Sequence, residues 1–570
     1  MSNEFEVSGK NNAALFTLKI HRGEGMALLG MNWKQGKPPK EFVGFAIEYK
    51  EPNGDRFFAL KNRVAFPGMD DSVNPNKMST RLSPIQKFRW VHFPRNAELK
   101  GEFTYKVTPV FMNAKDELSY GESQDAKIEL ARETFPSLLN VTFTRGFVSS
   151  QAFVDRFGAD AIPQLLPKTA ALGLDFVPSL ARAEDALAWM GFEARSAILE
   201  VLDQAIADKD AQARLLVYDF NLPEINSRLE KLKGRVKIII DDSGDHGEKK
   251  SAETKAFNQL SELLGADNVK RQHMGNLQHN KMVIADGPQV RAAVVGSTNH
   301  SWRGFYVQNN NAILLRSEDA VKLCLQAFED YWANDGAAGF GKTTSATWND
   351  LKLPGIDAQI GFSPRLAKNA VLKSIGNDVR DNTTSSLFFS LAFLYQTPGP
   401  LQNAIKKLQT DDQIFSYGIS DHPVKGLQVA KPNGRVVLVS PKELSKNLPQ
   451  PFKAEPTGGG GTRMHHKFVV IDFDKPTARV YMGSFNFSGV ADTSNGENLL
   501  LIRDRRVAVS YVIEAVRIFD HYEFRVAQAD AKKARKKLQL QKPPRKPGEK
   551  AWFEKDFTNA RKIRDREIFA

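Results

Sequence analysis

The chain has one cysteine, Cys324, in 570 residues. That excludes an intrachain disulfide and any cysteine-rich zinc module. Its setting between Leu323 and Leu325 reads as the core of a helix rather than as a reactive thiol. Long apolar runs are also missing. The longest mainly apolar stretch, Ser385 to Tyr395, is too short to cross a bilayer. The start, Met1-Ser2-Asn3-Glu4-Phe5-Glu6, is acidic and has no apolar h-region. No signal peptide and no transmembrane segment are therefore expected, and a cytoplasmic location is the expectation. Disorder is excluded by composition, because 41% hydrophobic and 25% charged residues suffice to bury a sizeable core. The length suggests two to four domains.

Basic charge is in surplus, 79 Lys and Arg against 66 Asp and Glu, a net of +13. A surplus of that size points to anionic partners, either nucleic acid or an anionic membrane surface. It is unevenly placed. Residues 526–570 hold 14 basic and 6 acidic residues, which leaves 65 against 60 for the other 525. The surplus is mostly a tail, including Lys532-Lys533-Ala534-Arg535-Lys536-Lys537, and such blocks are usually solvated arms. Trp552, Phe553 and Phe557 predict that the far end docks back on the protein.

Residues 1–133 read as an all-β sandwich. Val43, Phe45, Ile47 and Tyr49 alternate, and Trp90 to Phe93 and Phe103 to Phe111 are further strand candidates. Leu99 and Tyr105, followed by Val107 and Val110, resemble the tyrosine-corner pattern of fibronectin type III domains. Such a module implies packing or recognition, with a protein or surface as its ligand. Residues 134–169 read as a linker. Beyond it the texture alternates. Helices are predicted over Ala183 to Asp203 and Pro223 to Leu232, and strands over Arg214 to Tyr218 and Val236 to Ile240. The same order returns with a strand at Ser386 to Phe389, a helix at Pro400 to Leu408 and a strand at Arg435 to Val439. Continuous apolar strands of this kind belong to a sheet covered by helices. Two copies of one α/β unit follow, 170–340 and 341–525. Gly341 to Trp348 suits a connection between them, and Gly458 to Gly461 a flexible loop.

The copies carry matching motifs. Gln278-His279-Asn280-Lys281 leads to Asp286, and Met464-His465-His466-Lys467 leads to Asp472, so both read H-x-K-x4-D. Gly296-Ser297-Thr298-Asn299 and Gly483-Ser484-Phe485-Asn486 follow, with His-to-Asn spacings of 20 and 21. Eleven residues after each of those asparagines stand Asn310 and Glu497. In H-x-K on a strand, His and Lys share a face because side chains alternate. Two copies facing each other would place two imidazoles, two ammonium groups and two amides around one small volume. Such a volume suits a phosphate diester. One histidine can attack phosphorus while the other protonates the leaving oxygen. Lysine and asparagine stabilise charge on the equatorial oxygens. This inventory requires no metal and no cofactor.

The doubled H-x-K-x4-D with GSxN resembles the phospholipase D superfamily, over about 170–525. The resemblance implies an α/β fold: a two-lobed α-β-α sandwich from an internal duplication, here preceded by the all-β domain, with one site between the lobes. It also implies a covalent phosphohistidine, resolved by water or another alcohol. Carried over, His279 and His465 are the catalytic pair. Lys281, Lys467, Asn299 and Asn486 bind phosphate, with Ser297 and Ser484 close by. Asp286 and Asp472 complete the site, in this family more often as supports than as direct participants. The family often has an acid at the position of Glu497 that hydrogen-bonds a histidine, and Asn310 departs from that pattern. The expectation is that Glu497 pairs with His465 and keeps it protonated as the acid, while His279 begins neutral as the nucleophile.

Other polar residues carry blander expectations. His466, on the opposite face of the motif, is expected to be structural. His273 and His300 are expected on the surface or in packing, and Trp302 to Tyr306 in packing. The loop Asp241 to His246 is expected to be solvated, since it lacks EF-hand spacing. The substrate is expected to be nucleic acid, with a phospholipid as the alternative and an inactive binding scaffold as a second. Because duplication supplies both half-sites, catalysis does not need a dimer.

Overall fold

The computed structural model describes the chain apart from residues 1–4, 69–77, 131–132, 147–152, 154–155, 159, 412, 421, 423, 426, 428–437 and 440–463. The expected Gly458–Gly461 loop and residues 435–437 of the expected strand lie outside the described residues. Two compact units form, one from residues 1–132 and 509–570, the other from 133–429 and 437–508.

In the first unit, alternation builds two sheets around one core. A four-stranded sheet runs in the order Glu6–Ser8, Phe16–Gly23, Met26–Trp33, Arg89–His92. The second runs Leu118–Tyr120, Glu102–Met112, Phe42–Lys50, Phe58–Ala59, with Gln124–Glu129 also paired to Glu102–Met112. Phe16, Leu18 and Ile20 from one sheet and Phe45, Ile47, Phe103 and Val107 from the other share a single apolar cluster, the arrangement of a β-sandwich. The tyrosine corner is not there. Leu99 is exposed, and the Tyr105 hydroxyl meets His92 Nδ1 at 3.0 Å instead of upstream backbone.

The C-terminal segment is less free than its charge implies. Trp552 Nε1 donates to the Phe42 carbonyl at 3.0 Å and its ring stacks on Phe88. Phe553 enters the sandwich core, and the Phe569 carbonyl accepts from His21 Nε2 at 2.7 Å. The expectation of a solvated tail thus gives way from Leu540 onwards, because the aromatic residues supply apolar area that the lysine blocks lack.

The second unit contains two mixed sheets of one design. The first runs Leu139–Phe143, Asn311–Leu315, Arg291–Gly296, Met282–Asp286, Gln212–Val217, Val236–Asp241, Val269–Gln272. The second runs Asp357–Ser363, Glu497–Arg503, Arg479–Gly483, Lys467–Ile471, Ser386–Leu391, Phe415–Ile419, Leu438–Val439, with Asn349–Asp350 added at its edge. Strand for strand, the order and the parallel or antiparallel sense agree. The fold is a two-lobed α/β architecture built by duplication. Helices Ala183–Ala207, Pro223–Leu232 and Ala252–Leu264 cover the first sheet, and Leu372–Asn382 and Pro400–Leu408 the second. Cys324 is buried in helix Glu318–Ala333, where burial pushes its thiol up to about 12.

One expected boundary is corrected. The stretch 134–169, read as a linker, contains the edge strand Leu139–Phe143 of the first sheet. That strand is short and has too few residues to display a period. The stretch Gly341–Trp348 is packed, with Ser345 and Ala346 buried. No described helix is long and apolar enough to cross a membrane.

Candidate active site

Each motif enters its strand rather than lying within it. His279 and Lys281 stand just before Met282–Asp286, and Lys467 opens Lys467–Ile471 with His465 two residues earlier. Other backbone groups hold these approaches in place. The Gln278 amide donates to Asp241 Oδ1 at 2.7 Å, and the His465 amide to the Asn309 carbonyl at 3.0 Å. In both GSxN turns the glycine is dictated by close approach. A Cβ on Gly296 or Gly483 would be driven into the carbonyl oxygen of Asn311 or Asn498.

The two lobes bring the imidazoles together, with ring centres 6.3 Å apart. Both are almost fully buried. Each lysine folds back on its own motif. Lys281 Nζ donates to the His279 carbonyl at 2.5 Å and lies over the Tyr218 ring, and Lys467 Nζ donates to the His465 carbonyl at 2.8 Å and lies over Phe393. Burial pushes Lys281 down to about 7, although Glu497, Asp219 and Asp241 pull it upward. Burial and the neighbouring Lys281 also hold Lys467 well below the usual lysine range. Burial, reinforced by the two lysines, holds both histidines well below 6.5. A cluster of buried lysines and imidazoles of this kind suits an anion, which compensates charges that burial penalises.

The pairing of the histidines is crossed. His279 Nδ1 lies 2.8 Å from Glu497 Oε2, and His465 Nδ1 lies 2.8 Å from Asn310 Oδ1 and 3.1 Å from the Ser297 carbonyl. The expected pairing of Glu497 with His465 is therefore wrong: each lobe supplies the acceptor for the other lobe's histidine. Within a lobe, the residue eleven places after GSxN sits two strands from the motif strand, about 9–10 Å away. Facing the lobes brings it against the opposite ring. All three partners accept, so both rings donate from Nδ1 and carry the lone pair of the neutral form on Nε2.

The serines are spent on this arrangement. Ser297 Oγ donates to Asn310 Oδ1 at 3.0 Å and Ser484 Oγ to Glu497 Oε2 at 2.7 Å. Asn495 Nδ2 reaches Glu497 Oε1 at 3.2 Å. Burial still raises Glu497 to about 8, against the pull of Lys281 and these hydrogen bonds. A carboxylate so placed is a reluctant anion that a cation beside it stabilises. Asn299 Nδ2 donates to Asp219 Oδ2 at 2.7 Å, and the Oδ1 atoms of Asn299 and Asn486 are buried without a partner.

The two motif aspartates are not part of this cluster. Asp286 closes its strand, roughly 13 Å along from Met282, and is half-exposed against Arg291 Nε at 2.7 Å. Asp472 is fully buried, and its carboxylate accepts the amides of Thr384, Ser385 and Ser386. His466 packs between Phe143 and Phe468. Trp302 Nε1 donates to the Gly173 carbonyl inside the core, and exposed His273 pairs with Asp242. His300 is buried, which pushes it down to about 3.

Sequence reasoning missed a second layer. Asp241, expected in a solvated loop, is fully buried and bonded to Gln278, Ser243 and His246. Tyr218 and Asp219 follow a strand directly paired with the motif strand, which is the signal that could have found them. Asp219, His246 and Glu253 place ligand-type atoms within 4.8 Å of one another. They fit a divalent metal poorly. His246 donates from both ring nitrogens, to Asp219 and Asp241, and Glu253 Oε1 accepts the Phe220 amide at 3.0 Å. Burial would lower His246, but its hydrogen bonds to the two carboxylates outweigh that and raise it to about 10. A metal would have to displace that proton.

The profile of the family described as cardiolipin synthase, PLD-like domain, matches residues 202–332 and 438–519. This part of the chain is similar to that domain. A phospholipase D of Rickettsia felis is 46% identical over 48 residues, 8% of this chain and 22% of that protein. One of Rickettsia prowazekii is 48% identical over the same length and shares. The chain spans about a fifth of the length of these curated relatives, 22% of each. Among solved structures, a phosphatidylserine synthase of Haemophilus influenzae Rd KW20 matches with a TM-score of 0.41 at 13% identity, over 58% of this chain and 85% of that one. Nuc, a phospholipase D family member from Salmonella typhimurium, matches with a TM-score of 0.19 at 16% identity, over 29% and 95%.

Proposed function

We propose that the phospholipase D-like domain cleaves a phosphodiester bond in two steps, through a phosphohistidine on His279. The observation that carries this reading is the crossed pairing of two buried imidazoles with unequal partners, a carboxylate on His279 and an amide on His465. His279 Nε2 attacks phosphorus, a P–N bond forms and the P–O bond to the leaving group breaks. The departing oxygen takes a proton from His465 Nε2. Water then attacks phosphorus, gives its proton to His465, and the P–N bond breaks, restoring both rings. Lys281, Lys467, Asn299 and Asn486 hold the non-bridging oxygens.

The unequal partners divide the labour. Phosphorylated His279 is a cation, and the Glu497 carboxylate is its counter-charge, as the buried aspartate is in a Ser-His-Asp triad. His465, facing the neutral Asn310 amide, gains no such stabilisation when protonated and stays a strong acid. His279 thus remains the nucleophile, for a reason opposite to the one the sequence suggested. Bound diester offsets the two lysines and lets His465 take up the proton it delivers.

The favoured substrate is a nucleic-acid diester, supported by the basic character of the whole chain, of which only +5 of the net +13 lies outside residues 526–570. The second reading, a phospholipid, is favoured by the cardiolipin synthase description of the matching family and by relatives named phospholipase D. One assay separates them. Purified protein in EDTA is given single-stranded DNA, RNA, duplex DNA and labelled phosphatidylcholine or phosphatidylglycerol. Turnover of lipid alone sinks the nucleic-acid reading. Activity that survives both His279→Ala and His465→Ala, or that demands a metal, sinks the two-histidine reaction.

A further inference from the structure

Behind the first half-site runs a continuous chain of hydrogen bonds. Asn299 Nδ2 donates to Asp219 Oδ2 at 2.7 Å, and Asp219 Oδ1 accepts from His246 Nε2 at 3.2 Å. His246 Nδ1 donates to Asp241 Oδ2 at 2.8 Å, and Asp241 Oδ1 accepts the amide of Gln278 at 2.7 Å, one residue before His279. The Tyr218 ring fills the space between, with its centre 4.5 Å from that of His246 and 4.7 Å from that of His279. The second half-site is built differently. Its Asn486 Oδ1 is buried without a partner, as is Asn299 Oδ1, but among the described residues no carboxylate is bonded to the Asn486 amide.

Asp219 can only accept, so it fixes which end of the Asn299 amide faces it and leaves the second N–H of Nδ2 for a substrate oxygen. Two carboxylates this close would repel each other, and Asn299 and the Gln278 amide would lose their fixed acceptors if either turned away. A doubly donating imidazole between them removes that freedom. We propose that His246 is a positioning residue, a ring seated on Asp241 that donates to Asp219 and so holds Asp219 as the fixed acceptor of the Asn299 amide. The inference rests on the reading of Asn299 as a phosphate ligand.

Two substitutions divide the bridge. Asn at 246 places its amide nitrogen near Nδ1 and keeps the bond to Asp241, whereas Gln reaches the position of Nε2 and keeps the bond to Asp219. Each is made alone and with Asn299→Ala. The readouts are kcat/KM on bis(p-nitrophenyl) phosphate and the affinity for inorganic phosphate by calorimetry. His246→Asn is expected to lower both about tenfold in the wild-type background and less than threefold in the Asn299→Ala background. His246→Gln is expected to stay within threefold of wild type. A merely structural histidine would show neither the rescue nor the coupling. Equal losses in the two variants, or a His246→Asn loss undiminished by Asn299→Ala, overturn the proposal. If phosphate affinity follows the expected pattern while wild type cleaves no diester, the phosphodiesterase reading fails and the role of His246 stands.

Discussion

Glu497→Gln isolates the charge in the crossed pairing. The amide keeps the shape, and its oxygen can still accept from His279 Nδ1, where the carboxylate now sits at 2.8 Å. What disappears is the counter-charge for phosphorylated His279. A hydrogen bond to a charged group contributes about 1.5–3 kcal/mol and a neutral one about 0.5–1.5, so the bond alone loses about 1 kcal/mol. A cation and an anion 4 Å apart at an effective dielectric of 20 gain about 4 kcal/mol, which sets the upper end. At 1.36 kcal/mol per factor of ten, kcat should fall roughly 5- to 1,000-fold. Stability should not fall with it. Glu497 is fully buried and its carboxyl is raised to about 8, so an uncharged isostere removes a desolvation cost. The assay is single-turnover cleavage with acid quench, followed by peptide mapping of the phosphoryl group, alongside a denaturant titration at pH 8. A change under threefold in the chemical step with native stability would refute the counter-charge argument. Label on the His465 peptide would reverse the assignment of nucleophile.

The motif aspartates and the buried lysine give further checks. Asp472→Ala strips three backbone amides of their acceptor and should destabilise the second unit by about 3–5 kcal/mol, read as a lower denaturant midpoint. Asp286→Ala breaks only a half-exposed ion pair and should cost less than about 1 kcal/mol. Burial pushes Lys281 down to about 7 in the folded protein, from 10.5 for a free lysine side chain. The unfolded chain therefore binds the extra proton between those values, and this group's contribution rises with pH across that window. The cost of the charged lysine is imposed in full below 7. Lys281→Met should accordingly stabilise the protein relative to wild type more at pH 7 than at pH 9, by denaturant midpoints at the two values. An equal gain at both pH values would refute the assigned burial cost.

The legible part of this protein was whatever depends on periodicity or on repetition. Helices Pro223–Leu232 and Pro400–Leu408 were readable to the residue, because a proline at the first position and a heptad-like apolar stripe mark such elements locally. The strand Leu139–Phe143 was not, because five residues at a sheet edge carry no period and its partner lies 170 residues onward. Asp241 looked solvated since its neighbours Asp242, Gly244 and Asp245 are polar, yet its own carboxylate turns inward to cap the approach to His279.

The sequence by itself determined the inventory of the site: two histidines, two lysines and two GSxN asparagines at matched spacing, on two copies of one α/β unit. Spacing along a chain measures position within a lobe. It does not say which ring a side chain will face when two lobes are set against each other. Only the tertiary structure decided that Glu497 serves His279 and Asn310 serves His465, because residues two strands apart in one sheet stand about 9–10 Å from their own motif but within hydrogen-bond reach of the opposite one.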